Sequence, residues 1–97
     1  MTMVIVGGHD RMHREYIDIC NNNGFKAKVY THMPSEFSKR LGSADGILLL
    51  TNTVAHKMVL TALKEAKKRN IPVVKNHNSS IAAVSESVME LGNLATC

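Results

Sequence analysis

The apolar positions of this chain fall in short continuous blocks, separated by stretches whose apolar residues recur at helical spacing. Met3-Val4-Ile5-Val6 is one such block and stops at Gly7-Gly8, the pattern of a buried strand running into a tight turn. Similar blocks predict strands over Phe25–Tyr30, Gly46–Leu50 and Ile71–Val74, with Pro72 near the start of the last. Each is short and nearly continuous in apolar character, as strands covered on both faces are. Between the first two, Met12, Tyr16, Ile17 and Cys20 predict a helix capped by Asp10 and stopped at Asn22-Asn23-Gly24. Pro34-Ser35 opens a short helix to about Leu41. The clearest helix runs from about Val54 to Arg69, with Met58, Val59, Ala62, Leu63 and Ala66 in one stripe and Lys57, Lys64, Lys67 and Lys68 outside it; Asn70 and Pro72 end it. A last helix is expected from about Ser79 to Leu91, capped by Asn78 or Ser79 and apolar at Ile81, Val84, Val88, Met89 and Leu91.

Strict strand–helix alternation predicts an α/β fold: a small doubly wound, four-stranded parallel sheet of order 2-1-3-4, with right-handed crossovers and helices on both faces. The whole chain, 1–97, reads as one such domain. So narrow a sheet leaves an edge strand and part of one face poorly covered. A homodimer that buries the fourth strand or the helices beside it is therefore expected.

Composition narrows the function. Apolar residues make up 44% of the chain and charged residues 21%, which is globular rather than disordered. No apolar run approaches the roughly 20 residues of a membrane span, and MTMVIVGGHD carries no basic segment ahead of its apolar stretch, so a cytoplasmic, soluble protein is expected. Cys20 and Cys97 are too few and too badly placed for a disulfide framework and are expected to be reduced. The net charge of +4 is concentrated in Lys57, Lys64, Lys67, Lys68 and Arg69, where cations also suit the end of a helix. With four aromatic residues and no Trp, the chain has few rings on which nucleic-acid bases could stack, and such a partner is disfavoured.

The five histidines are the most informative feature. His9 follows strand one, His13 falls in the first turn of helix one, His32 follows strand two, His56 falls in the first turn of helix three and His77 follows strand four. In an open parallel sheet these junctions share the carboxyl edge, where such folds take ligands, so the histidines are expected to converge. His13 and His56 each lie three residues after a potential cap, Asp10 or Thr53, near the positive end of a helix that disfavours imidazolium. Neutral imidazole is what metal ligation requires. His9, His13, His32, His56 and His77 are thus the candidate metal ligands. Arg11, Thr51, Asn52, Lys75, Asn76, Asn78, Ser79 and Ser80 join the same edge, and with free helix amides they also suit an anion. Asn52, Thr53, Asn78 and Ser79 serve equally as helix caps.

Several chemistries are missing. Thr51 and Asn52 stand where a phospho-acceptor receiver needs an aspartate after its third strand. Gly7-Gly8-His9 lacks the dinucleotide-binding spacing, no phosphate-binding P-loop occurs, and no cysteine ends strand one. Asp10 is the one acidic residue near the edge, and without a positioned carboxylate to orient a histidine base a catalytic triad is unsupported. The chain reads as a binding protein, with any chemistry supplied by a bound cofactor.

Three segments, VIVGGHDRMHREY, DGILLLTNTVAHKMVLTALKEAKKRNIPVV and NSSIAAV, resemble the bacterial domain-of-unknown-function family 2325 over nearly the whole chain. The most specific parts are the Gly-Gly turn followed by Arg11, His13 and Tyr16, the Val54-Ala55-His56 step where the family shows Val-Ser-His, and A-K-K-R-x-I-P-V. The resemblance implies a Rossmann-like domain associated with haem and oxygen binding, with His13 and His56 as the site and Arg11 and Tyr16 beside them. Ala55 and the Lys75-Asn76-His77 loop depart from the family pattern.

Two functions follow as expectations. In the first, the histidines ligate haem iron or another transition metal, in a gas or redox sensor or carrier; Met12, Met33 and Met58 flank the macrocycle and Arg11 or Lys75 pairs with propionates. In the second, a regulatory module binds an anionic metabolite or nucleotide at its helix N-termini.

Overall fold

The computed structural model describes residues 1–96. Cys97 lies outside the described residues. Four strands, β1 (Thr2–Gly7), β2 (Lys26–Tyr30), β3 (Gly46–Leu50) and β4 (Val73–Asn76), pair in parallel in the order β2-β1-β3-β4. Four helices, α1 (His13–Asn22), α2 (Phe37–Arg40), α3 (His56–Arg69) and α4 (Ile81–Thr96), follow them in turn.

Side chains alternate across the sheet and divide the core in two. On one face Met3, Ile5, Leu48 and Leu50 pack with Tyr16, Cys20, Val84, Val88 and Leu91 of α1 and α4. On the other, Val4, Val6, Ile47 and Leu49 pack with Phe37, Leu41, Met58, Ala62 and Ala66 of α2, α3 and the 3-10 turn between α2 and β3. Only β1 and β3 are covered on both faces. β2 and β4 are edges, and Lys26, Lys28 and Lys75 are exposed on them, so the expectation that all four strands are doubly buried fails at the margins.

Helix limits differ from the sequence pattern for identifiable reasons. Asp10 does not cap α1, because Asp10–Met12 form a 3-10 turn and α1 starts at His13. At the other end, Phe25 N–H donates to Cys20 O and Gly24 N–H to Asn21 O, with Gly24 at φ 82°, so the helix closes in a Schellman motif. Thr53 does not cap α3, because its hydroxyl is drawn to the Gly7-Gly8 turn; α3 starts two residues later than expected, at His56. Glu36 in the left-handed region, φ 56°, cuts α2 to four residues. α4 starts at Ile81, with Ser80 Oγ accepting the Ala83 N–H. It continues past Leu91 to Thr96, since Gly92 lies against the Phe25 ring and Ala95 packs on the core. Among the described residues no helix is long and apolar enough to cross a membrane.

Candidate functional site at the carboxyl edge

The strand order reverses between β1 and β3, so the loops after these two strands diverge and leave the crevice in which open α/β sheets take ligands. Gly7 (φ 104°) and Gly8 (φ 86°) turn the chain there in a conformation that L side chains rarely adopt. A Cβ on Gly8 would lie 2.5 Å from the Tyr16 ring, so glycine is also needed for close approach. Gly8 N–H donates to Thr53 Oγ1 at 2.8 Å, and this bond ties the two loops across the switch point.

All five histidines stand on this edge and all are exposed. His13 and His56 are the first residues of α1 and α3, two residues nearer the helix mouth than the cap spacing implied. Two histidines are held by neighbouring loops. His32 Nε2 is 2.9 Å from Asp10 Oδ2, and Thr31 Oγ1 donates to Asp10 Oδ1. The Thr31 and His32 hydrogen bonds, with His32 and His13 as nearby charges, hold the Asp10 carboxyl below its ordinary value. His77 Nδ1 lies 3.0 Å from Thr51 Oγ1. Among the described residues the side chains of His9, His13 and His56 make no hydrogen bond.

The edge does not gather the histidines as fully as their junction positions implied. Among the described residues no group of three or more His, Cys, Asp or Glu side chains is close enough to hold a metal ion. Strand spacing explains this: the four junctions are spread across the width of the sheet, and neighbouring strands bring loops together only in pairs.

The remaining candidates divide. Arg11 and Lys75 are exposed cations, Lys75 level with Leu49 and one residue short of the end of β4. Tyr16 is fully buried; its hydroxyl donates to Ser79 O at 3.1 Å and reaches Met12 Sδ at 3.7 Å. It joins α1 to the β4–α4 loop beneath the edge. Met58 is buried in the α3 core, which removes it from any exposed macrocycle, whereas Met33 is exposed and Met12 half-buried. Two surface depressions, of about 350 Å³ beside Leu63, Ala66, Ile71 and Val73 and about 250 Å³ beside Phe25, Met89 and Gly92, lie at the opposite, amino-terminal edge of the sheet.

Two residues escaped sequence reasoning in their actual roles, Asp10 as the partner of His32 and Thr51 as the partner of His77. The signal was the strand order. Val6 pairs with Tyr30 and Leu50 with Asn76, so the residues that follow each pair become neighbours.

Among curated proteins and among solved structures no match was found. One family model matches residues 2–91, nearly the full length, a span of this chain that includes the Gly-Gly turn, all five histidines and the four strands. The chain belongs to the bacterial family described as "Uncharacterized protein conserved in bacteria (DUF2325)".

Proposed function

We propose that this protein binds haem at the carboxyl edge of its sheet, with the iron held by an imidazole of that edge. A second copy, docked through β4 or the helices beside it, covers the macrocycle. The observation that carries this reading is the location of every histidine on the one edge where such sheets take ligands, each of them exposed. The donor set fits haem better than a bare ion. A structural or catalytic ion needs three or four protein ligands, and no such group forms among the described residues. Haem brings four nitrogens of its own and asks the protein for one or two axial donors. Exposed Arg11 and Lys75 are the candidate partners of the propionates, and Met12 and Met33 are the apolar side chains available to flank the ring. Bound iron supplies reversible ligand or electron chemistry, so the protein serves in the cytoplasm as a gas or redox sensor or carrier.

The test is an absorption titration with hemin at pH 7.5. A saturable, sharpened Soret band at a simple haem-to-chain ratio supports the reading, and a featureless response overturns it.

A second reading is favoured by His13 and His56 opening two helices on either side of the switch point, where helix amides with Arg11 and Lys75 suit an anionic metabolite or nucleotide. Against it, Gly8 N–H is already engaged by Thr53. The two readings differ in pH response. Affinity falls as pH drops through histidine titration when imidazole ligates metal, and rises when imidazolium binds an anion.

A further inference from the structure

We infer that His77 is the primary imidazole ligand of this edge and that Thr51 is its positioning residue; the assignment rests on the metal-ligating reading above. Ligating imidazoles characteristically give one ring nitrogen to a protein acceptor, which fixes the ring and leaves the other nitrogen for the metal. Two of the five histidines have such a partner, and they differ in which nitrogen is taken.

His77 gives Nδ1 to Thr51 Oγ1 at 3.0 Å, which leaves Nε2, the ring nitrogen farther from Cβ, without a hydrogen bond among the described residues. In the ligating tautomer Nδ1–H donates to the Thr51 hydroxyl and the Nε2 lone pair is free. His32 is held the other way round, Nε2 to Asp10 at 2.9 Å, and offers only Nδ1. Nδ1 lies next to the ring carbon that bears Cβ, so a flat macrocycle bound there meets the histidine's own backbone. His9, His13 and His56 have no hydrogen bond among the described residues to fix their rings, and each must lose rotamer freedom on binding.

The segment around His77 is braced. Thr51 N–H donates to Asn76 O at 3.0 Å, Asn78 N–H to Asn76 Oδ1 at 2.9 Å, and Asn76 Nδ2 to the buried Ser87 Oγ of α4 at 2.8 Å. Asn76 is thereby tied to the end of β3 and to α4, and Asn78 to Asn76, so the residues on either side of His77 are hydrogen-bonded in place. His77 follows an edge strand and is exposed, with the exposed Lys75 ammonium two residues back along the chain for a propionate.

The test compares wild type, His77→Ala, Thr51→Val and Thr51→Ser in titrations with hemin and, separately, with Ni(II), after circular dichroism has established equal folding. Wild type binds the probe. His77→Ala loses the saturable Soret change, and free imidazole restores it. Thr51→Val weakens binding by about 10- to 100-fold, the usual cost of removing the partner of a ligating histidine, and Thr51→Ser, which keeps the hydroxyl, binds as wild type. Binding of hemin alone identifies haem iron; binding of both identifies a general imidazole-seeking site. If wild type binds and His77→Ala binds equally well, the assignment of His77 is overturned while the reading of the edge stands. If wild type binds neither probe, that reading falls and takes this inference with it.

Discussion

Cys20, on the inner face of α1, is fully buried, and burial pushes its thiol up to about 11. A depressed thiol is the mark of a reactive cysteine; this one is a packing residue. Its folded value exceeds the ordinary 9.0, so the stability it contributes is complete below about pH 9 and is lost as pH rises toward 11. The same displacement leaves about 100-fold less thiolate at pH 8 than an ordinary cysteine has. In a Cys97→Ser background, a disulfide reagent at pH 8 should therefore label the folded protein at least about 100-fold more slowly than the urea-unfolded chain. Equal rates would contradict a sealed α1 face. At this scale the histidines and their junctions were legible in the sequence. What each histidine touches was not, because Asp10–His32 and Thr51–His77 are contacts between loops that only the strand order makes adjacent. Asp10 shows the cost of local reasoning: its place in the sequence suits a cap, and the fold sets its carboxylate beside a histidine instead. That pair lies on the surface beside α1.

Element ends were the least legible level, and each error has a local cause. Glu36 illustrates this. A β-carbon at φ 56° is strained, and Glu36 has neither the small size of glycine nor the side-chain amide that lets asparagine tolerate the left-handed region. Its exposed side chain pairs with exposed Lys39, at 3.6 Å, a contact worth little in water. Glu36→Gly should therefore stabilise the protein, by about 1 kcal/mol, read as a higher urea midpoint at unchanged slope. A lower midpoint would mean that the turn does not need that conformation. Asn70 meets the same requirement at the end of α3, φ 55°, with a residue suited to it, and this stop was anticipated from sequence. The starts of α1 and α3 were misplaced because Asp10 and Thr53 spend their side chains on other loops, a choice that helix propensity does not record. Those displacements matter for the site, since they make His13 and His56 the first residues of their helices.

For the whole molecule, the strand order and the two core layers follow from the alternation of blocks and from the side-to-side alternation within β1 and β3. The edges do not follow from it, since β4 has only four residues and one buried side chain. Its outer side has no neighbouring strand among the described residues, and Leu63, Ala66, Ile71 and Val73 line a depression at its amino-terminal end, away from the histidines. An open edge next to apolar surface is what a second copy covers in small α/β proteins. Light scattering at micromolar concentration should give twice the 10.7 kDa chain mass. A single-chain mass, with and without hemin, would remove the partner from the account of the site.

The central claim is that the histidine edge holds the ligand. Hemin titration of wild type beside a variant with His9, His13, His32, His56 and His77 all changed to alanine tests it most directly, because every one of these side chains is exposed and the core is left untouched. The account predicts a saturable, sharpened Soret band for wild type and none for the variant at equal helix content. Equal bands from both proteins, or none from either, would contradict it.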